Sequence, residues 1–348
     1  MTVRPDCLAI ELGSDYIRWG AEFADRVLIR TVPVSDGELA GISADQRTGA
    51  LTRKILTHIR EREGIAMPDA AVITVPYLTF RDVAQAESVC RQMEIERFRV
   101  MKRISAFADA VSRMGLECGE EEFALVIDCH DMACETAIVS MGSGVTEMYS
   151  VVQRQITPET PMSAELLRKD IFKAIDSSGA RKIIGVYVSD LLDAECRQML
   201  KTAFHLEYTR VPTDSVLRGS LIACGHITGK IRDSLVVDAT DYEIRVGQDV
   251  LLDAGTTYPT SKSMEIVYHP ARPDRCIDLY IRKNNMVLDQ PLCARLSVEP
   301  LLMFHQKEQK LEVTVDIERN GRISAAVMCG QTGRRIIYDW EEIRRKLI

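Results

Sequence analysis

Phe123-Ala-Leu-Val-Ile-Asp-Cys-His-Asp-Met-Ala-Cys-Glu135 is the stretch that decides how the rest of the chain is read. A continuous apolar run, Phe123 to Ile127, ends in Asp128, the pattern of a buried strand that delivers an acid to its own end. Open α/β sheets bind their ligands at such strand ends. A phosphate site there needs glycines, whose missing side chains let backbone N–H groups close on the anion. Cys129, His130, Asp131 and Met132 follow the acid instead, so the strand promises a ligand site that the next residues obstruct.

On the N-terminal side, Cys7 to Leu12 and Tyr16 to Phe23 flank an acidic turn at Gly13, Ser14 and Asp15 and predict a β-hairpin. Val32 to Gly49 is polar and reads as loop. Ala50 to Glu63 has helical spacing (Leu51, Ile55, Ile59), with Arg53 to Arg62 as a solvated basic face. Ala70 to Val75 reads as a buried strand stopped by Pro76. A helix follows at Thr79 to Met93, a strand at Arg99 to Met101 and a helix at Ser105 to Met114. On the C-terminal side, Thr136 to Met141 and Thr146 to Gln153 predict a hairpin. Pro158 and Pro161 lead into a helix at Ser163 to Ser177, and Lys182 to Val188 is a strand. Helices are expected at Ala194 to Ala203 and at Ser215 to Cys224, the latter ended by Gly225. From Ser234 the sequence alternates apolar and polar residues between turns, an all-β sandwich module. The Arg344-Arg-Lys-Leu-Ile348 tail is either the end of a short C-terminal helix, with cations favourable to its dipole, or a docking peptide.

A chain of 348 residues predicts more than one domain. A net charge of −7 argues against a nucleic-acid or membrane-surface partner, either of which wants a basic footprint. No apolar run reaches the roughly 20 residues of a membrane span, and no signal peptide is apparent. Ten cysteines without CxxC pairs fit buried thiols in a reducing cytoplasm.

The order of motifs resembles the seventy-kilodalton heat-shock chaperones of the DnaK type. Ala71-Val-Ile-Thr-Val-Pro76-Tyr77 is similar to the family's AVITVPAYF, and Thr213 to Gly229 to its PDEAVAIGAAVQGGVLTG. Ser234 to Asp238 is similar to its linker LLLD, Gly255 to Thr260 to NTTIPT, and Leu311 to Ala326 to IEVTFDIDANGILHVSA. The resemblance implies an α/β actin-like (ribonuclease H-like), two-lobed ATPase domain with trimmed outer subdomains over 1–232. It implies a linker over 233–239, with Leu235, Val236, Val237 and Asp238 at its centre, a peptide-binding-like β-sandwich over 240–338 and a short helix over 339–348.

The same resemblance assigns former nucleotide loops. The first phosphate loop falls on Glu11, Gly13, Ser14 and Asp15, where Asp15 sets a negative charge against phosphate. The second falls on Asp128 to Glu135: its glycines are replaced by His130, Asp131 and Met132, and its threonine by Ala133. A glutamate of the family aligns with Arg103, its proline with Ile104, and the adenosine-pocket glycines with Val188 and Ser189. Glu11, Asp128 and Glu135 would be a residual magnesium site if ancestral binding persists. Otherwise they are acids at strand ends, with Arg103 bridged to Asp128 across the old cleft. Cys129, His130 and Cys134, with Cys224 and His226, are ligand types that suit zinc, but their spacing fits no ligand pattern, and packing is the expected role. The expected function is a DnaK-like chaperone or adaptor that binds an extended polypeptide client or partner protein through the sandwich, a pseudo-ATPase with ATP binding and hydrolysis lost. The alternatives are a weak ATP-binding chaperone ATPase that retains ATP and magnesium, and a non-enzymatic assembly scaffold.

Overall fold

A computed structural model describes residues 4–13, 16–24, 26–34, 44–75, 80–130, 133–142, 144–157, 159–205, 207–231, 235–240, 242–253, 256–270, 273–283, 292–303, 308–318 and 322–346. The chain divides into two compact units, Met1–Val236 and Val237–Ile348.

The first unit opens with β1 (Cys7–Leu12), β2 (Tyr16–Glu22) and β3 (Val27–Pro33). Helix α1 (Ala44–Leu56) runs on into a π-helical stretch, Thr57–Arg62. It is followed by β4 (Ala70–Val75), α2 (Phe80–Gln92), β5 (Arg97–Lys102) and α3 (Arg103–Ser112). The second half repeats this order: β6 (Glu122–Cys129), β7 (Ala133–Gly142) and β8 (Val145–Gln155), then α4 (Ala164–Ser178), β9 (Lys182–Ser189), α5 (Ala194–Phe204), β10 (Tyr208–Val211) and α6 (Ser215–Thr228).

Each half builds the same sheet. The first has the order β3-β2-β1-β4-β5, and the second contains β8-β7-β6-β9-β10. In both, the first three strands pair antiparallel and the last two join in parallel. The central strands are apolar without alternation because both faces are covered; β1 and β4 are buried at every position. The connecting helices are capped locally. Ser163 Oγ accepts from Leu166 N–H at the start of α4, Asp193 accepts from Cys196 N–H at the start of α5, and Gly179 ends α4 at a φ of 68°.

The halves meet through α3 and α6, the last helix of each. A Cβ added to Gly219 of α6 would collide with the Ala106 carbonyl of α3, so the two backbones touch where the glycine lies. Helix α6 also continues past Gly225, where the sequence expectation ended it. A Cβ there would lie 2.6 Å from Ile231, and the true cap is Gly229 at a φ of 77°. Two further expectations need correction. The segment Val32 to Gly49, read as loop, includes the end of β3 and the first turns of α1, while 35–43 lie outside the described residues. Strand β10 was not expected at all.

Leu235 to Asp238, expected as linker, belong to strand β11 (Leu235–Ala239). The second unit continues with β12 (Tyr242–Val246), β13 (Asp249–Leu252), β14 (Thr257–Tyr258), β15 (Thr260–Tyr268), β16 (Cys276–Lys283), β17 (Leu292–Ser297), β18 (Gln309–Ile317), β19 (Ile323–Cys329) and β20 (Arg335–Tyr338). Asp238 and Ala239 of β11 pair with Tyr258 and Thr257 of β14. Two four-stranded sheets have the orders β13-β12-β16-β17 and β15-β18-β19-β20. Strict alternation buries Leu311, Val313, Val315 and Ile317 on one face of β18, and Ile277, Leu279 and Ile281 do the same on β16. Helix α7 (Trp340–Lys346) sets Trp340 and Ile343 into the unit's core against β17 and β19.

Candidate functional site: an arginine between two carboxylates

Glu11, near the end of β1, and Asp128, near the end of β6, occupy matching places in the two halves. The residue that joins them is Arg103, which opens α3. Its Nε donates to Asp128 Oδ2 at 2.6 Å and its Nη2 to Oδ1 at 3.4 Å, while Nη1 forms an ion pair with Glu11 Oε1. All three are sealed from solvent, with Arg103 and Glu11 each 2% exposed and Asp128 0%. A cation at a helix N-terminus opposes the helix dipole, and neither a capping side chain nor an acid in the first turn of α3 offsets it. The two carboxylates supply that compensation from neighbouring strands.

Strand β2 completes the network. Arg18 is the register partner of Glu11, and its Nη2 donates to Glu11 Oε1 at 2.7 Å. Its Nη1 reaches the Thr213 carbonyl ahead of α6 at 3.1 Å. Tyr16, two residues earlier on the same strand face, donates its hydroxyl to Glu11 Oε1 at 3.0 Å. A Cβ on Gly13 would lie 2.5 Å from the Tyr16 ring, so the glycine of the expected phosphate loop makes room for an aromatic ring of the protein itself.

Across the second sheet, Asp128, Glu135 of β7 and Gln153 of β8 form one row, and Gln153 Nε2 donates to Glu135 Oε1 at 3.1 Å. One residue further on, the side chains turn to the other face. Cys129 and Cys134 are register partners within the apolar cluster of Leu167, Ile171, Val188 and Cys196. His130 N–H closes the hairpin on the Ala133 carbonyl at 2.9 Å. Ser189, which the resemblance would place at an adenosine pocket, is used for the backbone. Its Oγ accepts from Cys129 N–H at 2.8 Å and donates to the Cys129 carbonyl at 3.2 Å. Val188 beside it is fully buried.

The structure thus brings Glu11, Arg103 and Asp128 together, with Glu135 next in the row. Ser14, Asp15, Asp131 and Met132 lie outside the described residues. Tyr16, Arg18 and Gln153 were not singled out from the sequence, although β-alternation from Glu11 and its hairpin partner would have found Arg18 and Tyr16. Cys224 lies against Cys7, whose sulfur is hydrogen-bonded to it. His226 Nδ1 is bound to the Ile231 carbonyl.

As arranged, Glu11 and Asp128 do not fit a hydrated magnesium ion. Their facing oxygens already hold guanidinium nitrogens, and Arg103 and Arg18 would repel a second cation in that low-dielectric space. Among the described residues no group of three His, Cys, Asp or Glu side chains has metal-binding geometry. Among them, too, no helix is long and apolar enough to cross a membrane. No protein-family model matches the chain.

Proposed function

We propose that this chain is a compact DnaK-type protein whose first unit is an actin-like scaffold closed by its own arginine, and whose second unit binds an extended polypeptide. The single observation that carries the reading is Arg103 held between Glu11 and Asp128, a protein cation where the resemblance expects a metal and phosphates. The repeated strand and helix order of the two halves supports an actin-like ancestry. Phosphoryl transfer depends on positioned cations, phosphate-binding backbone and a positioned water. With those elements replaced, binding is not cycled by hydrolysis and is constitutive or set by a partner. Strands β13 and β15 lie at the ends of their sheets' strand orders, and β15 is exposed along most of its length, the kind of edge that takes an extended segment by backbone hydrogen bonds. The cytoplasm is the proposed compartment.

The test is a panel of fluorescent apolar heptapeptides mixed with the full chain at micromolar concentration. Saturable binding of some sequences, unchanged by magnesium and ATP, is expected. No binding to any of the panel contradicts the chaperone or adaptor reading.

A further inference from the structure

The Cys129–Cys134 pair is not used by the charged network. The two sulfurs are 2.6 Å apart on directly opposed residues of an antiparallel hairpin. Both backbone groups of Cys129 point at Ser189 of β9, away from Cys134, which makes this a non-hydrogen-bonded pair. In such pairs the Cα atoms approach to about 4.5 Å, inside the range that a disulfide spans. The sulfurs need close only to about 2.05 Å to bond. Both cysteines are free thiols.

We propose that Cys129 and Cys134 are a redox modification site that a hydroperoxide converts to a reversible disulfide, tying β6 to β7 one residue beyond Asp128. The roles of the two thiols differ. Cys134, 1% exposed, is the more deeply buried and the less accessible to a peroxide. Cys129, 5% exposed, is therefore the attacking group. Its thiolate attacks the terminal peroxide oxygen, the O–O bond breaks and the other oxygen leaves as hydroxide from hydrogen peroxide, or as alkoxide from an organic hydroperoxide, giving a sulfenic acid at Cys129. The Cys134 sulfur then displaces that hydroxyl; the S–S bond forms, the S–O bond breaks and water leaves with the Cys134 proton. Two thiols give up two electrons and two protons, and hydrogen peroxide becomes two waters. A dithiol reductant reverses the change by exchange through a mixed disulfide.

The site also shows why the neighbours do not compete equally. Cys196 belongs to the same apolar cluster but sits on α5, across the packing layer from the hairpin. Cys90 is fully buried, and desolvation raises its thiol far above the ordinary value, so it serves as an internal reference for a cysteine that stays reduced.

The experiment treats the full chain with hydrogen peroxide at a dose that leaves Cys90 reduced, then unfolds it in denaturant, blocks free thiols with iodoacetamide and cleaves on the N-terminal side of aspartates. That cleavage puts Cys118, Cys129, Cys134 and Cys196 on four different fragments, with the cuts before Asp128 and Asp131 separating the central two. The expected product is Asp128–His130 joined to Asp131–Lys169, lighter than the two reduced fragments by two hydrogens and split again by dithiothreitol. In Cys134→Ser, dimedone should label Cys129; in Cys129→Ser, Cys134 should stay unlabelled. Carbamidomethylation of both cysteines in the treated protein, or a disulfide from Cys129 to Cys118 or Cys196, would overturn the proposal.

Discussion

Arg103 is paired with two buried acids at once. A buried ion pair is weak evidence of stability as a whole, but removing one partner leaves the other charge desolvated at a cost of about 3–5 kcal/mol. Arg103→Ala should lower the unfolding free energy by that order in urea denaturation, and Arg103→Lys should recover little of it, because an ammonium cannot match the forked contact with Asp128. Asp109 is the opposite case. It is fully buried on α3, neither carboxyl oxygen has a hydrogen-bond partner, and desolvation pushes its carboxyl up to about 7 against the pull of Arg113 and Arg99. The native state therefore keeps a proton that the unfolded chain loses near its ordinary value of 3.8. The resulting penalty is absent below that value, grows as pH rises and is complete above about pH 7. At 1.36 kcal/mol per pH unit it reaches about 4 kcal/mol. Asp109→Asn should be more stable than the natural chain, by a margin that widens in urea titrations between pH 5 and pH 8; equal gains at both would contradict the assignment. Nothing local in the sequence marked Asp109, whose isolation comes only from tertiary packing.

Elements with covered faces were legible because burial imposes its own pattern. The apolar runs at Cys7 to Leu12 and Ala70 to Val75 coincide with β1 and β4, and the alternating module expected from Ser234 onward includes β18. The missed or shortened elements take their stability from partners. Strand β10 has four residues, two of them exposed polar ones, and exists through parallel pairing with β9. Helix α6 passes Gly225 because the missing side chain admits Ile231, a contact invisible at that sequence distance. The contact between α3 and α6 is more demanding still. Gly219→Ala must drive the helices apart at the Ala106 carbonyl, and a loss of about 3 kcal/mol or more is expected from overpacking backbone against backbone. A thermal melt unchanged from the natural chain would show that the helices do not approach this closely.

At the scale of the whole molecule, the sequence resemblance suggested two lobes, but the exact repetition of strand order in the two halves emerges only from the pairing. The residues at matching places differ too much to align: Glu11 faces Arg18 across its hairpin, whereas Asp128 faces Glu135. Of the candidate site, the acids and Arg103 were singled out through the resemblance, while Tyr16 and Arg18 became visible through register. The second unit has its own buried core, so a fragment from Leu235 to Ile348 should unfold cooperatively when followed by circular dichroism; a broad, featureless transition would mean that it depends on the first unit. In the proposed reading, a protein arginine stands where the resemblance expects a metal and phosphates. Calorimetric titration of magnesium and ATP into the full chain tests it most directly. No heat beyond dilution and no thermal shift is the expected result, and saturable binding that Asp128→Asn abolishes would contradict it.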